Sequence, residues 1–74
     1  MAGMLRYSVQ FEDRHGVWVH WRAFESENAA IAECELIAAR HLNARVKDVL
    51  DWSGPAVAYR EAHKGTVPPG SSER

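Results

Sequence analysis

Two runs of alternating residues separated by a single turn constrain this chain more than any other feature. Leu5, Tyr7, Val9 and Phe11 alternate with Arg6, Ser8, Gln10 and Glu12, and Val17, Val19, Trp21 and Ala23 alternate with Trp18, His20, Arg22 and Phe24. A period of two is that of a half-buried strand. Between the runs lies Asp13-Arg14-His15-Gly16. Asp suits the first position of a type I turn, and Gly accepts the left-handed conformation that closes such a loop. With Arg14, His15 and Gly16 as the loop, Asp13 faces Val17. This register sets Phe11 beside Val19, Val9 beside Trp21 and Tyr7 beside Ala23 on one apolar face. The other face pairs Glu12 with Trp18, Gln10 with His20 and Ser8 with Arg22, and a one-residue slip would mix the two sets. Trp21 is thus predicted to be core, and Trp18, His20 and Arg22 to look outward.

The next stretch, SENAAIAECELIAARHLN, reads as a helix. Ser26 is a plausible N-cap, Glu25 and Glu27 suit the positive end of the helix dipole, and Arg40 and His41 the negative end. Ala30, Ile31, Cys34, Ile37, Ala38 and Leu42 form a stripe for packing on a sheet. On the opposite side Ala29, Ala32, Leu36 and Ala39 form a second, small-residue stripe. ARVKDVLDWSGPAVAYRE fits either a continuation of the helix or a second strand pair. We favour strand-turn-strand, because Trp52 and Val57 to Tyr59 are strand-forming types and Ser53-Gly54-Pro55 signals a turn. The expected fold is α+β in the order β-β-α-β-β, a small antiparallel sheet with one helix packed on one face.

The 74 residues allow one domain. We assign residues 1–61 to it and read residues 62–74, rich in Pro, Gly and Ser, as a flexible tail. Cys34 is the single cysteine, so no internal disulfide forms, and a reducing, cytoplasmic setting is expected. The start, MAGMLRYSVQF, lacks the apolar run of a signal peptide, and no stretch is long enough to span a bilayer. A net charge of −1 argues against a surface wholly devoted to nucleic acid, though not against a local basic patch.

No catalytic set emerges, and we expect no enzyme. Cys34 lies on the core stripe between Glu33 and Glu35, where burial and carboxylates both raise a thiol's pKa. His15, His20, His41 and His63 fall on four different local structures without ligand spacing, so neither a metal nor another cofactor is expected. Glu33 and Glu35 point to different sides of the helix, Gly16 and Gly54 are isolated turn glycines, and a sheet with one helix hardly encloses a pocket.

Two surfaces remain. On the outer sheet face Trp18, His20, Arg22, Arg6 and Gln10 would be joined by Arg45, Lys47 and Arg60 from the second strand pair. Such groups can anchor a protein or contact nucleic acid, or can simply dress the sheet through cross-strand contacts. The stripe Ala29, Ala32, Leu36 and Ala39 could seat a second copy as a symmetric dimer, although alanine is also merely the best helix former.

In size, in β-β-α-β-β order and in a helix followed by VKDVLDWSGPAVAYRE, the chain resembles small phage-encoded inhibitors of the anti-CRISPR type. That resemblance is one of layout. It implies a protein-binding inhibitor that blocks a larger protein or nucleoprotein complex, a CRISPR effector, inside a host bacterial cell. It assigns no residues. The alternatives are a nucleic-acid-binding module using the outer sheet face, and a dimeric phage accessory or antitoxin-like assembly protein. Neither involves a membrane.

Overall fold

The structure, a computed structural model, describes residues 4–63. Strands β1 (Tyr7–Glu12) and β2 (Trp18–Phe24) form the hairpin, followed by helix α1 (Glu27–Ala38), strand β3 (Ala44–Asp48), a 3-10 turn at Val49–Asp51, and strand β4 (Ala58–Arg60). The sheet is antiparallel in the order β2-β1-β3-β4, with α1 on one face, so the α+β reading and its element order hold. The hairpin loop closes as its residues dictate. Asp13 N–H donates to the Val17 carbonyl, the Asp13 carboxylate accepts from His15 and Val17, and Gly16 has a φ of +78°.

The register holds only as far as Gln10↔His20, after Glu12↔Trp18 and Phe11↔Val19. A bulge between Val9 and Gln10 then leaves Trp21 unpaired and gives Val9↔Arg22, Ser8↔Ala23 and Tyr7↔Phe24. The expected pairs Val9–Trp21, Tyr7–Ala23 and Ser8–Arg22 are therefore corrected. A bulge inserts one residue and turns the following side chains over. Its effect is to bring Phe24, expected outside, onto the core cluster while Ala23 takes the pairing opposite Ser8. A larger apolar side chain is buried in this way, and the register rule yields to it.

Helix α1 begins as expected, with Ser26 Oγ accepting from Ala29 N–H. It ends at Ala38, so Arg40 and His41 lie beyond its last turn. His41 adopts a φ of +70°, and its N–H donates to the Ala38 carbonyl, closing the helix through a left-handed residue. Ala30, Cys34, Ile37 and Ala38 are buried with Val9, Ala44 and Val46, while Ile31 and Leu42 pack at the margin. The second strand pair exists, but its connection is longer than a tight turn. Asp48 caps the 3-10 turn by accepting from Leu50 N–H. Trp52 lies in the turn that follows rather than in a strand.

Hydrogen bonds continue past Glu61. Ala62 N–H donates to Asn43 Oδ1, His63 N–H donates to the Ala38 carbonyl, and His41 Nδ1 donates to the His63 carbonyl. Residues 62 and 63 are thus docked on the helix end, and the rest of the expected tail lies outside the described residues. No helix among the described residues is long and apolar enough to cross a membrane.

Candidate functional site

One row of side chains runs across the outer face of all four strands: His20, Gln10, Arg45 and Tyr59 are consecutive cross-strand partners. Arg45 Nε donates to Gln10 Oε1 at 2.7 Å, and its guanidinium lies 4.2 Å from the centroid of the Trp18 ring. Trp18 in turn meets Tyr59 edge to face at 6.3 Å. His20 Nδ1 shares a hydrogen bond with Ser8 Oγ at 2.8 Å. Lys47 is only 9% exposed, although it stands on the solvent-facing side of the sheet. The segment between the 3-10 turn and β4 folds against it: its ammonium donates to the Gly54 carbonyl and lies 5.8 Å from the Trp52 ring centroid. Ser8 and Gln10 are buried as well. This face is a built polar and aromatic layer.

Of the expected outer-face set, the structure keeps Trp18, His20, Gln10, Arg45 and Lys47 together. It removes three. Arg22, displaced by the bulge, sits opposite Val9 with its guanidinium 5.8 Å from the Trp21 ring centroid. Arg60 lies opposite Ala44 on the helix side, where Nε meets Glu35 Oε2 at 3.4 Å. Strand alternation requires this, because Ala58 packs on the core and its successor Tyr59 must face out. Arg6 precedes β1 and makes a two-pronged ion pair with Asp48, at 2.9 and 2.8 Å. That pairing holds the Asp48 carboxyl below its ordinary pKa, chiefly through the Arg6 hydrogen bonds. Tyr59 and Trp52 are the outer-face residues that sequence reading missed. Tyr59 faces out because Ala58 faces the core, a parity set by the pairing of β3 and β4.

The second surface lies on the helix side, along β2. Helix α1 packs mainly on β1 and β3 and touches β2 least. Trp21 points to that side as expected, but it is 45% exposed rather than core. Its indole is edge to face with Phe11 at 6.2 Å, and Nε1 donates to Glu33 Oε2 at 2.8 Å. Beside it, Trp21, Glu33, Leu36, Ile37, Ala39 and Arg40 line an open cleft of about 270 Å³. A smaller cleft of about 110 Å³ shares Trp21, Ile37 and Arg40 and extends to Phe11 and Leu42. One helix on one sheet thus leaves open clefts here rather than an enclosed pocket. The exposed Val17 and Val19 continue the apolar surface along β2.

The helix stripe Ala29, Ala32, Leu36 and Ala39 is exposed throughout. Leu36 and Ala39 belong to the cleft, whereas Ala29 and Ala32 do not line it. Cys34 is buried, and that burial raises its thiol pKa above the ordinary value. Among the described residues no three His, Cys, Asp or Glu side chains converge as metal ligands.

Fold and site together define a class: a minimal four-stranded α+β domain with a cation-aromatic sheet face and an uncovered apolar groove. Compared with protein-family models, curated proteins and solved structures, the chain finds no match in any of the three.

Proposed function

We propose that this chain is a non-catalytic binding protein that acts by occupying a surface of a larger protein. One observation carries this reading: the groove between β2 and α1, with Trp21 half exposed at its centre and Leu36 62% exposed on its wall. Partly sheltered tryptophans next to arginines are the side chains that dominate binding energy at protein interfaces. Soluble chains seldom leave such a contiguous apolar patch without a use. The groove calls for a partner segment with an apolar ridge and flanking carboxylates, because Arg22 and Arg40 border Trp21 and the Glu33 carboxylate is already engaged by the indole. The resemblance in size and element order to anti-CRISPR-type inhibitors makes a CRISPR effector complex of a bacterial host the first partner to try.

Affinity capture against a reconstituted effector tests the reading directly. Trp21→Ala and Leu36→Glu are expected to weaken capture by tenfold or more, the range of an interface hot spot at about 2 kcal/mol or above. Arg6→Gln, which lies outside the groove, should leave capture unchanged. Sedimentation of the free chain at twice its mass, lost in Leu36→Glu, would instead assign the groove to a second copy.

A further inference from the structure

The outer sheet face holds an electrostatic anomaly that the groove does not explain. Two other cations of the fold have carboxylate partners: Arg6 pairs with Asp48, and Arg60 with Glu35. Arg45 and Lys47 stand two residues apart on the same face of β3, and neither forms an ion pair among the described residues. Both are partly or fully withdrawn from water. Buried cations normally acquire a counter-charge, since desolvation penalises the charged form. Glu12, on the same face of the neighbouring strand, accepts from Asn43 Nδ2 and pairs with neither cation. Among the described residues, the two terminal nitrogens of Arg45 donate to nothing, while Nε and the Trp18 ring fix the guanidinium plane. It is a preorganised fork without an acceptor.

Each of these cations has an exposed aromatic ring beside it. Tyr59, 49% exposed, is the cross-strand partner of Arg45, and the exposed Trp52 lies against the Lys47 ammonium. Cations alone would suit any polyanion. A cationic fork on a face that also carries exposed flat rings suits a chain of phosphates and bases. A duplex keeps its base faces stacked inside, so rings of this kind favour single strands. We propose that the outer sheet face binds single-stranded nucleic acid, with the Arg45 fork on a phosphate and Tyr59 and Trp52 stacked on bases, while the covered Lys47 adds positive potential beneath them. This site is separate from the groove and does not depend on the groove's function.

The test is fluorescence anisotropy of a labelled oligothymidylate titrated with the full chain over a range of salt. Saturable binding is expected, with a log-log salt slope of about −0.7, the value for one phosphate contact to a single strand. Tyr59→Ala and Trp52→Ala should each weaken binding about fivefold or more. Arg45→Gln should reduce the slope by about 0.7. Circular dichroism of each variant checks that the fold persists, and Trp21→Ala should bind the oligonucleotide as the parent does. The proposal is overturned if no saturable binding appears at low salt. It is equally overturned if polyglutamate or a duplex competes as well as the single strand, or if folded Tyr59→Ala and Trp52→Ala both bind unchanged.

Discussion

Trp18 and Trp21 lie three positions apart on one strand and differ in the layer that meets them. Trp18 faces the side of the sheet that has no helix, yet it is the better covered of the two, by the Arg45 guanidinium and the Tyr59 ring. Trp21 faces the helix side, yet nearly half of it is open to solvent, because α1 lies over β1 and β3. The face a residue occupies and the cover it receives are set by different things. Facing follows from local alternation, whereas cover depends on what the rest of the chain brings to that place. A single 12-residue helix cannot roof four strands, so the edge strand β2 is left with its apolar side open.

The comparison breaks most visibly in stability. Trp18→Ala is expected to cost about 3 kcal/mol, since it removes a packed aromatic together with its edge-to-face and cation-π partners. Trp21→Ala should cost only about 1–2 kcal/mol, because much of the ring contacts no protein. Urea unfolding of the two variants side by side gives the difference, and a reversed order would mean that the groove is part of the core. The bulge is tested next. Phe24→Ala should lose about 2 kcal/mol, whereas Ala23→Ser should stay within about 0.5 kcal/mol of the parent. Equal losses would restore the unbulged register. Ser26→Ala removes the N-cap and should cost about 1 kcal/mol. Its capture of a groove partner should be unaffected, as the helix contributes to the groove only from Glu33 onward, away from the capped end.

The hairpin, its loop and the buried helix stripe were legible because each is written in short-range pattern: a period of two, Asp before a glycine turn, and a stripe at helical spacing. The bulge was not. Its driving force is the choice between Ala23 and Phe24 as the inward residue opposite Tyr7, and that choice needs the neighbouring core to be in place before it can be weighed. The outward set suffered for the same reason. Arg22 was lost to the bulge, and Arg60 to a parity that Ala58 fixes only once β3 and β4 are paired. Lys47 was found on the right face, but its burial depends on a connection reaching back over the sheet. The groove was missed because an amphipathic pattern reports that a residue prefers cover, without reporting whether the chain has enough helix to supply it.

The paired and unpaired cations of the sheet extend the comparison to charge, and here the expected effect is smallest. Asp48 carries a carboxyl pKa lowered by Arg6, with a further contribution from Leu50 N–H. A carboxylate depressed in the folded state stabilises fully above its unfolded value, and that stabilisation disappears as pH falls through the lower, folded value. At neutral pH Asp48→Asn should therefore be less stable than the parent, by a margin that solvent limits because the Arg6 partner is well exposed. On acidification from the ordinary carboxylate range downward, the two unfolding midpoints should converge as the parent loses the charge that the variant never had. Arg45→Gln should leave this acid transition in place, since Arg45 forms no ion pair with a carboxylate among the described residues. A gap between Asp48→Asn and the parent that does not change with pH would overturn the reading, since both the Arg6 pair and the Leu50 N–H favour the charged carboxylate.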